Sequence, residues 1–184
     1  DAYFVYTPPP PLRIAAIGPD DEARRRLVAA ADPFPDDPKI ACETMEQPHP
    51  QMDWDRYTLV VWDAPLPTGE VATGLEKFIR NGGAVIFFPA STKDGSAFLG
   101  TSFAAPLDSD SAHPQRIIHW DQQDGPLADS TSGAALSVSA IGIQRAAPIV
   151  SGGEIRAVFG DNHPFLTEQL LGKGRAWFCA TLPR

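Results

Sequence analysis

The sequence predicts an α/β domain with a mostly parallel central sheet and an antiparallel β-meander over its last third. Three observations carry that expectation. Short, nearly uninterrupted apolar runs at 12–18, 57–62 and 84–88 are bounded by turn residues, as in strands covered on both faces. Between the last two lies an amphipathic stretch with clear start and stop signals, which makes a strand–helix–strand unit. From Ile155 onward, apolar segments alternate with Gly-containing turns.

Taken in order, 12–18 is the first strand, ended by Gly18-Pro19. Asp20 or Asp21 caps a helix through Ala31, with acids in the first turn, where the helix dipole favours them. Leu27, Val28 and Ala31 supply its inner face, and Arg24, Arg25 and Arg26 spread over a solvated one. Prolines and acids make 32–38 a loop, and 39–45 the second strand. A proline-rich loop at 47–55, carrying His49 and Trp54, precedes the third strand at 57–62.

The next helix is the best signalled. Thr68 is its N-cap, and Val71, Leu75, Phe78 and Ile79 form one apolar stripe. Lys77 and Arg80 lie near its C-terminus, and Asn81-Gly82-Gly83 stops it. Strand four follows at 84–88. Residues 91–112 read as an elaborated loop, with a helical turn near Phe98 and Leu99. A strand at 116–120, a helix start at Pro126-Leu127-Ala128 and alternating patterns at 135–139 and 141–143 come next. The meander closes the chain, with strands at 155–159, 165–171 and 175–181.

With 184 residues the chain fits one domain, and 43% apolar residues suffice for a core. The formal net charge of −8 argues against a nucleic-acid surface, which needs clustered Lys and Arg. No apolar run approaches the roughly 18 residues of a membrane span, so this stretch is not expected to insert into a bilayer. The first residue is Asp1, and Tyr3-Phe4-Val5-Tyr6 runs into Pro8-Pro9-Pro10-Pro11. Residues 1–11 are therefore expected to be a terminal strand and stiff proline boundary from a preceding module, and 12–184 a single α/β domain. Cys42 and Cys179 are expected to be free and buried.

Ligands of doubly wound sheets sit at the carboxyl ends of the parallel strands. After strand one there is neither a G-x-G-x-x-G pattern nor a P-loop lysine, so no cofactor is expected. Asp63, after strand three, is a candidate base or metal ligand, although an Asp there more often serves the turn. After strand four a hydrolase would carry a nucleophile on a sharp elbow. Pro89 occupies that position and offers neither a nucleophile nor an N–H. Ser91 is the remaining nucleophile candidate, without flanking glycines. Asp108, Asp110 and His113 form a loose candidate metal cluster lacking the glycine and terminal Glu of an EF-hand. His119, with Asp121 and Asp124, is a second candidate, and Trp54, Trp62 and Trp120 could stack on a glycan.

The segments 57–65, 68–80 and 82–89 resemble the central βαβ of the class I glutamine amidotransferase-like superfamily, in its branch lacking the nucleophile. The tail 155–182, with Pro164-Phe165-Leu166 and Gly172-Lys173-Gly174-Arg175, resembles the end of that domain in large Bat-type (aerotolerance-related) bacterial membrane proteins. The resemblance implies a flavodoxin-like, amidotransferase-like sandwich on the periplasmic side of a membrane-anchored protein, with other domains of the same envelope protein as partners. The Cys–His–Glu triad of active amidotransferases has no counterpart among these motifs. The expectation is thus a non-catalytic structural or protein-interaction domain. A hydrolase-like enzyme using the 91–124 loop and a small-molecule or glycan-binding module are the alternatives.

Overall fold

In the computed structural model, the described residues are 11–90, 95–110, 112–130, 133–150 and 152–181. The terminal strand expected at 1–6, most of the proline boundary and the candidate Ser91 lie outside them.

Apolar runs become β1 (Leu12–Ile17), β2 (Ile40–Met45), β3 (Leu59–Trp62) and β4 (Ala84–Phe87). Helix α1 (Glu22–Ala31) joins β1 to β2, a 3-10 turn (Trp54–Arg56) precedes β3, and α2 (Gly69–Asn81) joins β3 to β4. An insertion follows, with β5 (Ser102–Phe103), β6 (Leu107–Asp108), β7 (Ile117–Trp120), a 3-10 turn (Val138–Ala140), β8 (Arg145–Ala146) and β9 (Ile149–Val150). The meander is β10 (Glu154–Phe159), β11 (Pro164–Leu171) and β12 (Gly174–Cys179).

Eight strands form one sheet in the order β2-β1-β3-β4-β12-β11-β10-β7. It is parallel from β2 through β12 and antiparallel beyond. The small ribbons β5-β9 and β6-β8 lie outside it.

Alternation along the strands gives each face its own set of side chains. Val60, Trp62, Val85, Phe87, Ala176 and Phe178 share one face by register, and all are buried. Phe87 stacks on Phe178 with centroids 4.9 Å apart, and Trp62 tilts against Phe87 at 5.9 Å. Trp54 packs 6.5 Å from Trp62. The α2 backbone at Gly74 is so close that a Cβ there would lie 2.8 Å from the Trp54 indole nitrogen. The stripe Leu75, Phe78 and Ile79 is buried as expected, while Val71 is only partly covered. Gly82 ends α2 in the left-handed region at φ 118°, its N–H returning to the Ile79 carbonyl.

Several expectations are corrected. Arg24 is buried rather than solvated, because α1 turns Ala23 and Arg24 inward. The helical turn at Phe98 and Leu99 is a two-residue hairpin: Phe98 and Thr101 exchange both backbone hydrogen bonds, with Leu99 and Gly100 at positive φ. Residues 126–128 make an isolated turn instead of opening a helix. The alternating stretch at 135–139 forms no strand, and Val138 anchors a 3-10 turn there. Cys42 is only half-buried, since β2 is an edge strand. Both cysteines are free, and Cys179 is buried.

The seam of the sheet supplies a test. At Gly174 the first residue of β12 passes beneath the end of α2, where a Cβ would sit 2.1 Å from the Ile79 carbonyl oxygen and 2.2 Å from that of Gly83. Both obstacles are backbone. Gly174→Ala is therefore predicted to destabilise the domain by about 1–3 kcal/mol, the usual range for overpacking, read as a lower urea midpoint.

Candidate functional site

Strand order reverses between β1 and β3, the position at which a doubly wound sheet opens a ligand crevice. Here the β1–β3 ladder continues one residue past both strands. The Asp63 N–H donates to the Ile17 carbonyl at 2.7 Å. A Cβ on Gly18 would lie 2.7 Å from the Asp63 carbonyl oxygen, so the two turns touch. Arg24 reaches up from α1, donating through Nη1 to the Gly18 carbonyl at 3.0 Å and pairing with Asp20 at 2.6 Å. Candidate Asp63 is itself buried inside this contact.

At the end of β4, Phe88 and Pro89 are buried. The nearby cavity measures about 10 Å³, room for little more than one water, between Ala64, Leu66, Pro89, Phe103 and Ala104. Aromatic rings from the insertion fill the remaining space: Phe98 packs 5.3 Å from Phe87, and Phe103 6.2 Å from Phe178. Beyond β12, the Ala180 carbonyl accepts from the Ala147 N–H and the Ala180 N–H donates to Phe165.

The metal candidates are spread along the surface. Asp108 is exposed on β6 and faces Arg145 at 3.4 Å. Asp110 and His113 pair at 3.1 Å, both exposed. The Ala112 N–H, then His113, hold the Asp110 carboxyl below its usual range. His119 is exposed on the edge strand β7, opposite Val158. Among the described residues no group of three or more His, Cys, Asp or Glu side chains could hold a metal ion. Trp54 and Trp62 are core residues, and Trp120 is half-buried.

Asp121 and Asp124 do enter a cluster, although not with His119. Its centre is Glu168 of β11, whose side chain is fully buried. Arg156 donates through Nε to Glu168 at 2.6 Å and through Nη1 to Asp121 at 2.8 Å. Arg175 donates to Glu168 at 3.2 Å and to Asp124 at 2.9 Å. Sequence reading missed Arg156, Glu168 and Arg175. The available signal was opposite charge at alternating positions of adjacent meander strands. With both Glu168 oxygens engaged, the cluster offers neither a free base nor a nucleophile. It ties the 121–125 loop to the sheet.

Glu154 also pairs with Arg156 at 3.3 Å, and the other two peripheral acids, Asp121 and Asp124, give the cluster a pH dependence. Asp121 is held below the usual carboxylate range by the N–H groups of Gln123 and Asp124, with Arg156 adding to it. Asp124 is held down first by its hydrogen bond from Arg175. Depressed carboxylates stabilise the fold above their unfolded pKa of about 3.9, and that contribution is lost as pH falls through the lower folded values. Burial pushes the Cys179 thiol up to about 12, so it stays protonated and inert at neutral pH. The predicted outcome is a urea midpoint insensitive to these acids from pH 7 to about 5 and falling below about pH 4. Asp124→Asn should lower the neutral plateau and flatten the acid limb, as measured by urea melts across that range.

No protein-family model and no curated protein sequence matches this chain. Solved structures do match. A β-galactosidase from Bacillus circulans sp. alkalophilus superposes with a TM-score of 0.62 at 15% identity, over 94% of this chain and 29% of that one. A cytoplasmic protein of Salmonella typhimurium LT2 gives 0.65 at 10% identity, over 92% of this chain and 88% of its own. An exo-β-1,4-mannosidase from Opitutaceae bacterium strain TAV5 gives 0.54 at 12% identity, over 94% and 31%. The chain thus spans less than a third of these glycosidases. At such identities the likeness is one of fold.

Proposed function

We propose that this is a non-catalytic α/β module, structural or protein-binding in role, within a longer bacterial envelope protein. The observation that carries the reading is the packing at the carboxyl ends of β1, β3 and β4. Gly18 and Asp63 abut there, Pro89 stands where a nucleophile would be, and the cavity beside it measures about 10 Å³. A reaction needs a pocket that admits substrate beside polar groups. The cavity beside Pro89 is too small for that, and in the open hollow of about 730 Å³ between α1, the end of β12 and the insertion the acid Asp108 is paired with Arg145.

The finer assignment is a flavodoxin-like sandwich of the class I glutamine amidotransferase-like kind. It is supported by the order β2-β1-β3-β4-β12 of the five parallel strands. Placement on the periplasmic side of a Bat-type membrane protein rests on the resemblance of 57–89 and 155–182. No helix among the described residues is long and apolar enough to cross a membrane. The partners in this reading are other protein domains, since the acidic balance disfavours nucleic acid.

Glycosidase neighbours raise the alternative of sugar cleavage or sugar binding. Burial of Trp54 and Trp62 removes two of the three candidate stacking platforms, and the shared segment is less than a third of those enzymes. The test is turnover of nitrophenyl galactoside, nitrophenyl acetate and glutamine by the purified chain. The expected result is hydrolysis no faster than buffer. Turnover abolished by Ser91→Ala or Asp63→Asn would overturn the reading.

A further inference from the structure

The two edges of the eight-stranded sheet differ. At β7 the edge is blunted: Gln115, just ahead of the strand, exchanges backbone hydrogen bonds with Ile143, and Arg116 donates to the Ser139 and Ala140 carbonyls. Nothing comparable lies along β2 among the described residues. The Leu12 N–H donates to the Lys39 carbonyl and the Gly18 N–H to that of Met45, so the odd-numbered residues of β2 turn their backbone groups to β1. By alternation, Ile40, Cys42 and Thr44 turn theirs outward. The Ile40 N–H is taken by the Asp37 carbonyl. The Cys42 and Thr44 amides and the outward carbonyls have no backbone partner among the described residues.

An open edge is a template for another strand, and proteins usually blunt it with bulges, prolines or lysines. Strand β2 keeps unbroken register with β1 from Ile40 to Met45 and contains neither proline nor lysine. Its one charge, Glu43, is turned to Arg56 and to the Tyr57 hydroxyl, which donates to it at 2.8 Å.

The edge is also self-complementary. An antiparallel pairing of two copies about Cys42 sets Cys42 opposite the partner's Cys42 and Ile40 opposite the partner's Thr44. Each Cys42 then exchanges both backbone bonds with its mate, and each Thr44 N–H meets an Ile40 carbonyl. The Thr44 carbonyl is left to water, since the Ile40 N–H stays with Asp37. Charge selects the same sense. Lys39 precedes β2 and Glu46 follows it, both exposed and outside every ion pair among the described residues. Antiparallel pairing brings each Lys39 towards the partner's Glu46. Beside this edge a hollow of about 490 Å³ is lined by Val28, Ala29, Pro33, Pro35 and Thr44, and the adjoining Phe34 is 68% exposed. The same two-fold axis carries the 33–37 turn of each copy to the Thr44 end of the other's hollow, where Phe34 leaves water.

We propose that β2 is a self-association edge: two copies of this chain pair β2 to β2, antiparallel about Cys42, and join their sheets into one. The inference is independent of whether the module is catalytic, because mass and cross-linking read it and turnover does not.

The experiment measures the sedimentation mass of the full chain, and its cross-linking after mild oxidation with copper phenanthroline. Opposed residues of a hydrogen-bonded antiparallel pair have Cα atoms about 5.5 Å apart, within disulfide reach. Cys179 is buried, so Cys42 is the thiol that reports. The expected result is twice the monomer mass, with a covalent dimer that Cys42→Ser abolishes. Thr44→Pro removes an N–H that the monomer does not use and should give a folded monomer. Lys39→Glu should weaken the dimer severalfold, and adding Glu46→Lys should restore it. A monomeric wild type throughout the micromolar range would overturn the proposal, as would a dimer unchanged by both Thr44→Pro and Lys39→Glu. Should Thr44→Pro fail to fold, the charge swap decides: recovery in the double variant supports the antiparallel edge, and no recovery refutes it.

Discussion

Strand β12 is bonded on both sides by strands of opposite sense, parallel to β4 and antiparallel to β11, and the architecture depends on that double pairing. It is the fifth parallel strand of the α/β half and the last strand of the meander at once. Without it the sheet would fall into two separate pieces. Its side chains reflect the position. Ala176 and Phe178 are wholly buried, and Phe178 stacks on Phe87 across the seam. Gly174 lets its first residue pass against the backbone at the end of α2. On the other face, Arg175 reaches from β12 to the Glu168 carboxylate of β11 and the loop acid Asp124.

The insertion packs onto the carboxyl ends of β4 and β12. The insertion between β4 and β10 contributes Phe98 and Phe103, which pack on Phe87 and Phe178 where a substrate would otherwise enter. At the β1/β3 reversal, Arg24 donates to the Gly18 carbonyl and Gly18 abuts Asp63. An almost wholly apolar groove lies on the sheet's other face, among Leu12, Leu59, Ile86 and Trp177.

The parallel half was legible in the sequence because its signals are local. Apolar runs, the 75/78/79 stripe and the Gly82 stop each act within a few residues, and the structure places β1, β3, β4 and α2 where they indicate. The insertion was not. Two-residue strands such as β5 and β9 have no periodicity to read, and the Phe98–Thr101 hairpin is anchored by a ring 5.3 Å away on β4. Charge misled twice. Arg24 looks solvated in sequence because its partners, the Gly18 carbonyl and Asp20, come from the preceding turn. Glu168 looks like an ordinary surface acid until two arginines on neighbouring strands cover it. For the candidates, composition indicated acids and histidines between 108 and 124, whereas folding exposes Asp108, Asp110, His113 and His119 and recruits Asp121 and Asp124 to a structural cluster.

If β12 joins the two halves into one cooperative unit, native-state hydrogen exchange reads it directly. The amides of β12, β4 and β11 should exchange only through global unfolding, with a single free energy equal to that from the urea melt. Exchange of β11 and β12 through a lower-energy opening, while β1, β3 and β4 stay protected, would show the meander to be a separate unit and contradict the account.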